Sequence, residues 1–205
     1  MWALVEDGSI TKLINNPKAM VIGDNRYSRN IFSFRWTNAE REAIGIYEIV
    51  WDNSKKKDEE YYTNTNQTFT YDADAGTVTA TYGDATAKAH ADTLFTSDDE
   101  DNGLGTEGEV KVEGLKTKKI RTIKKQAAGE LARTDWYIVR KADADTAIPS
   151  AITNHRAAVR TKCAQMETAV TNASNTAAIE TLYTYTKQED GSVTRPLGEL
   201  PTFEV

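Results

Sequence analysis

Short apolar runs separated by turn-forming residues fill the first 83 positions, a pattern that predicts β-strands rather than helices. Asp7-Gly8 interrupts VEDGSI, and Gly23-Asp24-Asn25 interrupts MVIGDNRY. These residues tolerate positive φ, so both sites predict tight hairpins. A helix signal follows in RWTNAEREAIG: Thr37 caps the free amides, Glu40 completes a capping box three residues later, and Gly45 closes the C-terminus. The helix feeds a strand from Ile46 to Trp51. After the mixed-charge run SKKKDEEYYTNTNQ, which reads as a solvated loop, TFTYDADAGTVTATYG predicts another hairpin turning at Asp72 to Gly76.

The second half changes period. Ala85 to Phe95 is alanine-rich and predicts a helix, and the acidic, glycine-rich stretch after it predicts a connector. Leu115, Ile120, Ile123, Ala127 and Leu131 then form one apolar stripe at helical spacing, with lysines and arginines on the other faces. Thr134 offers a cap for a short helix through TDWYIVRKA, with Trp136 and Val139 directed to the core. From Pro149-Ser150 a long helix is expected, because Ile152, Val159 and Met166 recur every seven residues beside Cys163 and Val170. Asn172 to Asn175 breaks it, AAIETLYTY forms a last helix, and QEDGSVTRPLGELPTFEV reads as a hairpin or extended tail. Strands first and helices second predict an α+β fold: a β-hairpin-rich region at 1–83, a helix and acidic connector at 84–113, and a small helical region at 114–205.

Composition narrows the function classes. The 205 residues are 39% hydrophobic and 27% charged, which suits a soluble globular chain of one medium domain or two small ones. No apolar run approaches the roughly 20 residues of a membrane span, and MWALVEDGSI lacks the features of a signal peptide. A net charge of −6 argues against nucleic acid as a partner. One cysteine and two histidines leave no disulfide framework and no histidine- or cysteine-rich metal centre.

Chemistry is announced at one place only. DDEDNGLGTEGE, residues 98–109, puts Asp98, Glu100, Asn102, Gly103 and Glu109 on EF-hand spacing, so Asp98, Glu100, Asn102 and Glu109 are candidate calcium ligands. Against this stand the long Glu100 at the third position, Gly105 at the eighth, and the lack of a second loop. The stretch reads better as an acidic connector, and no cofactor other than calcium is implied. Lys116, Lys118, Lys119, Arg121, Lys124 and Lys125 make the stripe helix basic, which reads as a solvated face partly neutralised by the acidic stretch upstream. His155 and Cys163 lie about 12 Å apart along one helix, too far for a nucleophilic pair. Glu59 and Glu60 point apart, and no nucleophile elbow, phosphate loop or HExxH motif occurs, so no enzyme is expected. Trp36, Trp51 and Trp136 are candidate interface anchors, with Arg156 and Arg160 beside them.

One segment carries a resemblance. AAGELARTDWYIVRKADADTAIPSAITNHRAAVRTKCAQMETAV, with Leu131, Thr134-Asp135-Trp136, Pro149 and the helix bearing Arg156 to Arg160, resembles the C-terminal region of tailed-bacteriophage tail-fibre assembly and tail-chaperone-like proteins. MWALVEDGSITKLINNPKAMVIGD through AIGIYEIV is similar to uncharacterised proteins of marine tailed phages. The resemblance implies a non-enzymatic structural or adaptor protein of the virion tail or tail fibre, made in the host cytoplasm. Its implied partners are other tail or fibre proteins, with self-association as a further option. The alternatives are an assembly chaperone absent from the mature particle and a calcium-stabilised module that binds the host surface.

Overall fold

The fold is α+β, with the strand-rich part first and most of the helix after it, in a computed structural model that describes residues 1–203. The chain divides into two compact units, 1–86 and 87–205. The first unit ends three residues beyond the expected limit at Gly83. The stretch expected as a connector at 84–113 lies almost wholly inside the second unit.

In the first unit, β1 (Trp2–Glu6), β2 (Ser9–Ile14), β3 (Met20–Ile22) and β4 (Asn25–Tyr27) precede helix α1 (Asn38–Glu42) and strand β5 (Ile46–Asp52). Beyond them come β6 (Tyr62–Thr63), β7 (Thr68–Asp72) and β8 (Thr77–Thr81). Five of these strands form one sheet in the order β2-β1-β5-β8-β7, antiparallel throughout except where β5 runs parallel to β8. The expected turns are present: Asp7 and Gly8 take φ of 50° and 74°, and Gly23 and Gly76 are also left-handed. The capping box is present as well, with Thr37 Oγ1 accepting from Glu40 N at 3.2 Å and Thr37 N donating to Glu40 Oε2 at 2.7 Å.

Alternation gives the sheet two apolar faces. Ala3, Val5, Ile49, Val78 and Ala80 are buried on one, with Tyr47, Phe69 and Tyr71 against them; the edge strands β2 and β7 approach each other and curl the sheet around this core. Leu4, Ile14 and Ile46 are buried on the other face, under Trp2, Met20, Ile22, Phe32 and Ile44. Gly45 is required where these layers join: its φ is +81°, and a Cβ would stand 2.5 Å from the Val5 carbonyl oxygen.

The boundary falls within β9 (Thr86–Ala87), and the second unit then contains β10 (Thr93–Leu94), α2 (Ser97–Asp101), β11 (Val110–Val112), α3 (Leu115–Ala132), α4 (Asp135–Ala144), α5 (Ser150–Asn172) and α6 (Thr176–Tyr183). A short hairpin, β12 (Thr186–Lys187) with β13 (Val193–Thr194), turns at Asp190-Gly191, as expected for this tail. Glu204 and Val205, the end of that expected tail, lie outside the described residues. The apolar stripes are where the periodicity placed them. Leu115, Ile123 and Ala127 of α3 are buried, and so are Ile152, Val159, Met166 and Val170 of α5, with Leu197 closing the core near Ile123.

The helix expected over Ala85 to Phe95 does not form. Residues 88–92 instead run as a strap across the start of α3, whose first amides have no partner within the helix. Ala89 O accepts from Leu115 N at 3.0 Å and His90 O from Lys116 N at 3.0 Å. The Asp92 carboxylate accepts from Gly114 N at 2.6 Å and Thr117 Oγ1 at 2.7 Å. Thr176 Oγ1, at the start of α6, donates to Lys88 O at 2.6 Å. A helical 85–95 would withdraw these acceptors, so tertiary capping overrides alanine propensity.

Candidate functional site

At the end of α3 the chain turns on Thr134, whose side chain does not cap α4 as expected but is fully buried beneath Arg156. Thr134 Oγ1 donates to Leu131 O at 3.0 Å, while Arg156 Nη1 donates to Leu131 O at 2.7 Å and Thr134 Oγ1 at 2.8 Å. The same guanidinium nitrogen lies 2.8 Å from the Asp135 carboxylate. Arg156, expected as an interface residue, is 7% exposed and serves as an internal anchor for the α3–α4 turn.

Helix α4 leaves this anchor with none of its residues buried. The expectation that Trp136 and Val139 point into the core is corrected, for they are 51% and 65% exposed and Ile138 is exposed beside them. Trp136 stacks on Tyr137 with ring centroids 3.8 Å apart, and the Arg140 guanidinium sits 4.8 Å above the Trp136 ring. Arg140 Nε is shielded from solvent without a hydrogen-bond partner. Lys141 pairs with Asp145 at 2.5 Å, and Asp145 ends the helix in a left-handed conformation. Ten residues fall below the roughly 12–15 at which an isolated helix holds in water, so α4 depends on its ends and on whatever covers its apolar side chains.

The other interface candidates are dispersed. Trp36 is half-buried, its ring edge-on to Tyr27 at 6.2 Å. Trp51 lies at the end of β5 against Phe69 and Tyr82, with a third of its surface open. Arg160 is exposed on α5, one turn beyond Arg156. Tyr137, Ile138 and Arg140, which complete the α4 surface, were not singled out by sequence; the WYIV run was the available signal.

The four candidate calcium ligands are not brought together. Asp98 and Glu100 lie on α2, Asn102 is its C-cap, and Glu109 stands on the return strand side. Capping and pairing use this segment instead. Thr96 Oγ1 accepts from Asp99 N at 3.3 Å, Asp99 accepts from Lys111 Nζ at 2.6 Å, and Glu100 Oε2 accepts from Glu107 N at 3.0 Å. The Lys111 ammonium, with Thr96 behind it, holds the Asp99 carboxyl below its ordinary range. Among the described residues no group of three or more His, Cys, Asp or Glu side chains could hold a metal ion.

On α5, His155 packs against Phe203 at 5.2 Å, while the Cys163 thiol donates to Glu167 Oε1 at 3.3 Å. Burial first, and the Glu167 bond second, push that thiol up. On the basic face of α3, Arg121 pairs with Glu113 at the end of the expected connector and Lys124 with Glu167 of α5; Lys119, expected on the solvated face, is instead buried against Tyr183. His90 contributes its carbonyl to the strap. A cavity of about 360 Å³ lies among Gln126, Gly129, Glu130, Met166, Arg195 and Glu199, where Arg195 is paired with Glu199 at 2.7 Å and Glu130 with Arg133 at 3.2 Å. No helix among the described residues is long and apolar enough to cross a membrane. Comparison with protein-family models, with curated proteins and with solved structures finds no match.

Proposed function

We propose that this chain is a non-enzymatic structural or adaptor protein of a tailed-phage particle, in the tail or tail-fibre region, and that α4 is its protein-binding helix. One observation carries the reading: no residue of α4 is fully buried, and it displays Trp136, Ile138 and Val139 from a backbone tied to Arg156 at its start. A tryptophan and a tyrosine beside an arginine, here Trp136, Tyr137 and Arg140, are the residue types enriched in interface hot spots. The segment that carries the tail-protein resemblance contains α4 and its Arg156 anchor, which supports the same assignment.

Mass spectrometry of purified particles tests it. The chain is expected at stoichiometric copy number. With Trp136→Ala and Val139→Ser together, the loss of stability should stay at about 1–2 kcal/mol, the worth of the Trp136 contacts with Tyr137 and Arg140. Incorporation should nevertheless be lost. Absence of the wild-type chain from particles that fail to assemble without it would move the protein to the assembly-chaperone role; particles that form normally without it would sink both readings.

A further inference from the structure

Residues 12–35 hold five cations, Lys12, Lys18, Arg26, Arg29 and Arg35, against the single acid Asp24, in a chain whose net charge is −6. All five are exposed, and among the described residues none forms an ion pair. Three of them, Lys12, Lys18 and Arg29, line two hollows. Lys12, Asn15, Asn16 and Lys18 line a depression of about 270 Å³, and Pro17, the neighbour of Lys18, joins Arg29, Phe32 and Ser33 around another of about 380 Å³. Phe34, next in the chain to Ser33, is 94% exposed. Its position is fixed from below: buried Arg41 donates to Ile31 O at 2.8 Å, Ser33 O at 2.5 Å and Asn38 Oδ1 at 2.9 Å, and stacks on Trp2 at 4.6 Å.

The second unit carries the complementary surface. Residues 98–109 contain six acids and no base. The turn is folded by its own hydrogen bonds, and Leu104 at its tip is 62% exposed, with Val110 exposed on the adjoining strand. A cationic patch with a protruding phenylalanine and an acidic turn with a protruding leucine match in both charge and apolar content.

We infer that the cationic patch around Phe34 docks the acidic 98–109 turn of a second copy of this chain. Such a contact is heterologous, since each copy offers one surface of each kind, so it propagates head to tail into a ring or an open filament. The inference rests on charge and exposure in this chain and is independent of the phage assignment.

Sedimentation of the full chain at about 50 mM and about 500 mM salt tests it. Species larger than a monomer should form at low salt and dissociate at high salt, because exposed charges are screened beyond about 10 Å at 0.1 M. Arg29→Gln with Arg35→Gln should weaken association by about tenfold or more, as should Asp101→Asn with Glu107→Gln, while circular dichroism stays unchanged. Mixing the two variants provides the specific readout. Each retains one intact surface, so the mixture should give a 1:1 pair and nothing larger. A monomer at every concentration in low salt overturns the inference and leaves the patch to another polyanion, for which nucleic acid binding by that monomer would be the sign. An assembly indifferent to both sets of substitutions also overturns it.

Discussion

Arg156 shows how one side chain changes meaning between sequence and fold. On a helix with Arg160 and His155 it reads as a surface cation. In the structure its Nη1 serves Leu131 O, Thr134 Oγ1 and the Asp135 carboxylate, because the α3–α4 turn leaves those acceptors beside a buried stretch of α5. A second residue-scale feature is the Tyr47–Tyr71 hydroxyl pair at 3.1 Å, which links β5 to β7 beside the sheet's core. The hydrogen bond that the Tyr47 hydroxyl makes to Tyr71, then burial, push Tyr47 up to about 12. A phenol normally ionises near 10, so the folded state favours the neutral form. Its stabilising contribution is fully present below about pH 10 and is lost as pH rises from there through the folded value. Tyr47→Phe should cost about 1 kcal/mol at neutral pH and flatten the alkaline loss between about pH 10 and 12, measured by denaturant unfolding at a series of pH values.

Among the elements, the strap at 88–92 is the one that sequence misread most fully. Its alanines favour a helix, but the start of α3 lacks a capping side chain of its own, since Gly114 occupies the N-cap. That glycine has a reason: a Cβ there would lie 2.3 Å from the Ala91 backbone, so the strap can approach only a bare position. Asp92 then supplies the missing acceptor from 22 residues away. The bonds from Gly114 and Thr117 hold its carboxyl below the ordinary range. Its contribution is therefore present above about pH 4 and fades as pH falls through the depressed folded value. Asp92→Ala should lower the melting temperature by roughly 2–4 °C at neutral pH, with the difference from wild type shrinking in acid. An unchanged melting temperature would show that the backbone contacts of Ala89 and His90 suffice. Helix α4 is the opposite case. Its existence was legible from TDWYIVRKA, but its exposure was not, because three apolar residues on a short helix look the same whether they face a core or a partner.

On the scale of the whole molecule, the sequence placed strands before helices and put the apolar stripes of α3 and α5 on their buried faces, since periodicity reports which residues share a side. The Thr37–Glu40 box, the left-handed turn at Asp7-Gly8 and the break after Asn172 were equally legible, because each rests on residues within four positions of one another. Charge was legible as a total and misleading as one: −6 overall conceals a stretch, 12–35, whose five exposed cations form no ion pair among the described residues, and an acidic turn in the second unit. The EF-hand spacing of 98–109 depended on side chains converging around an ion. The local capping of α2 by Thr96 and the pairing of Asp99 with Lys111 arrange those residues differently. What the sequence determined by itself was local: turns, caps, and the apolar side of each long helix, all set by backbone sterics and burial. Tertiary structure decided which distant group satisfies an orphaned amide, which arginine is an anchor, and which apolar residues remain uncovered, since these depend on contacts between segments that no sequence period encodes.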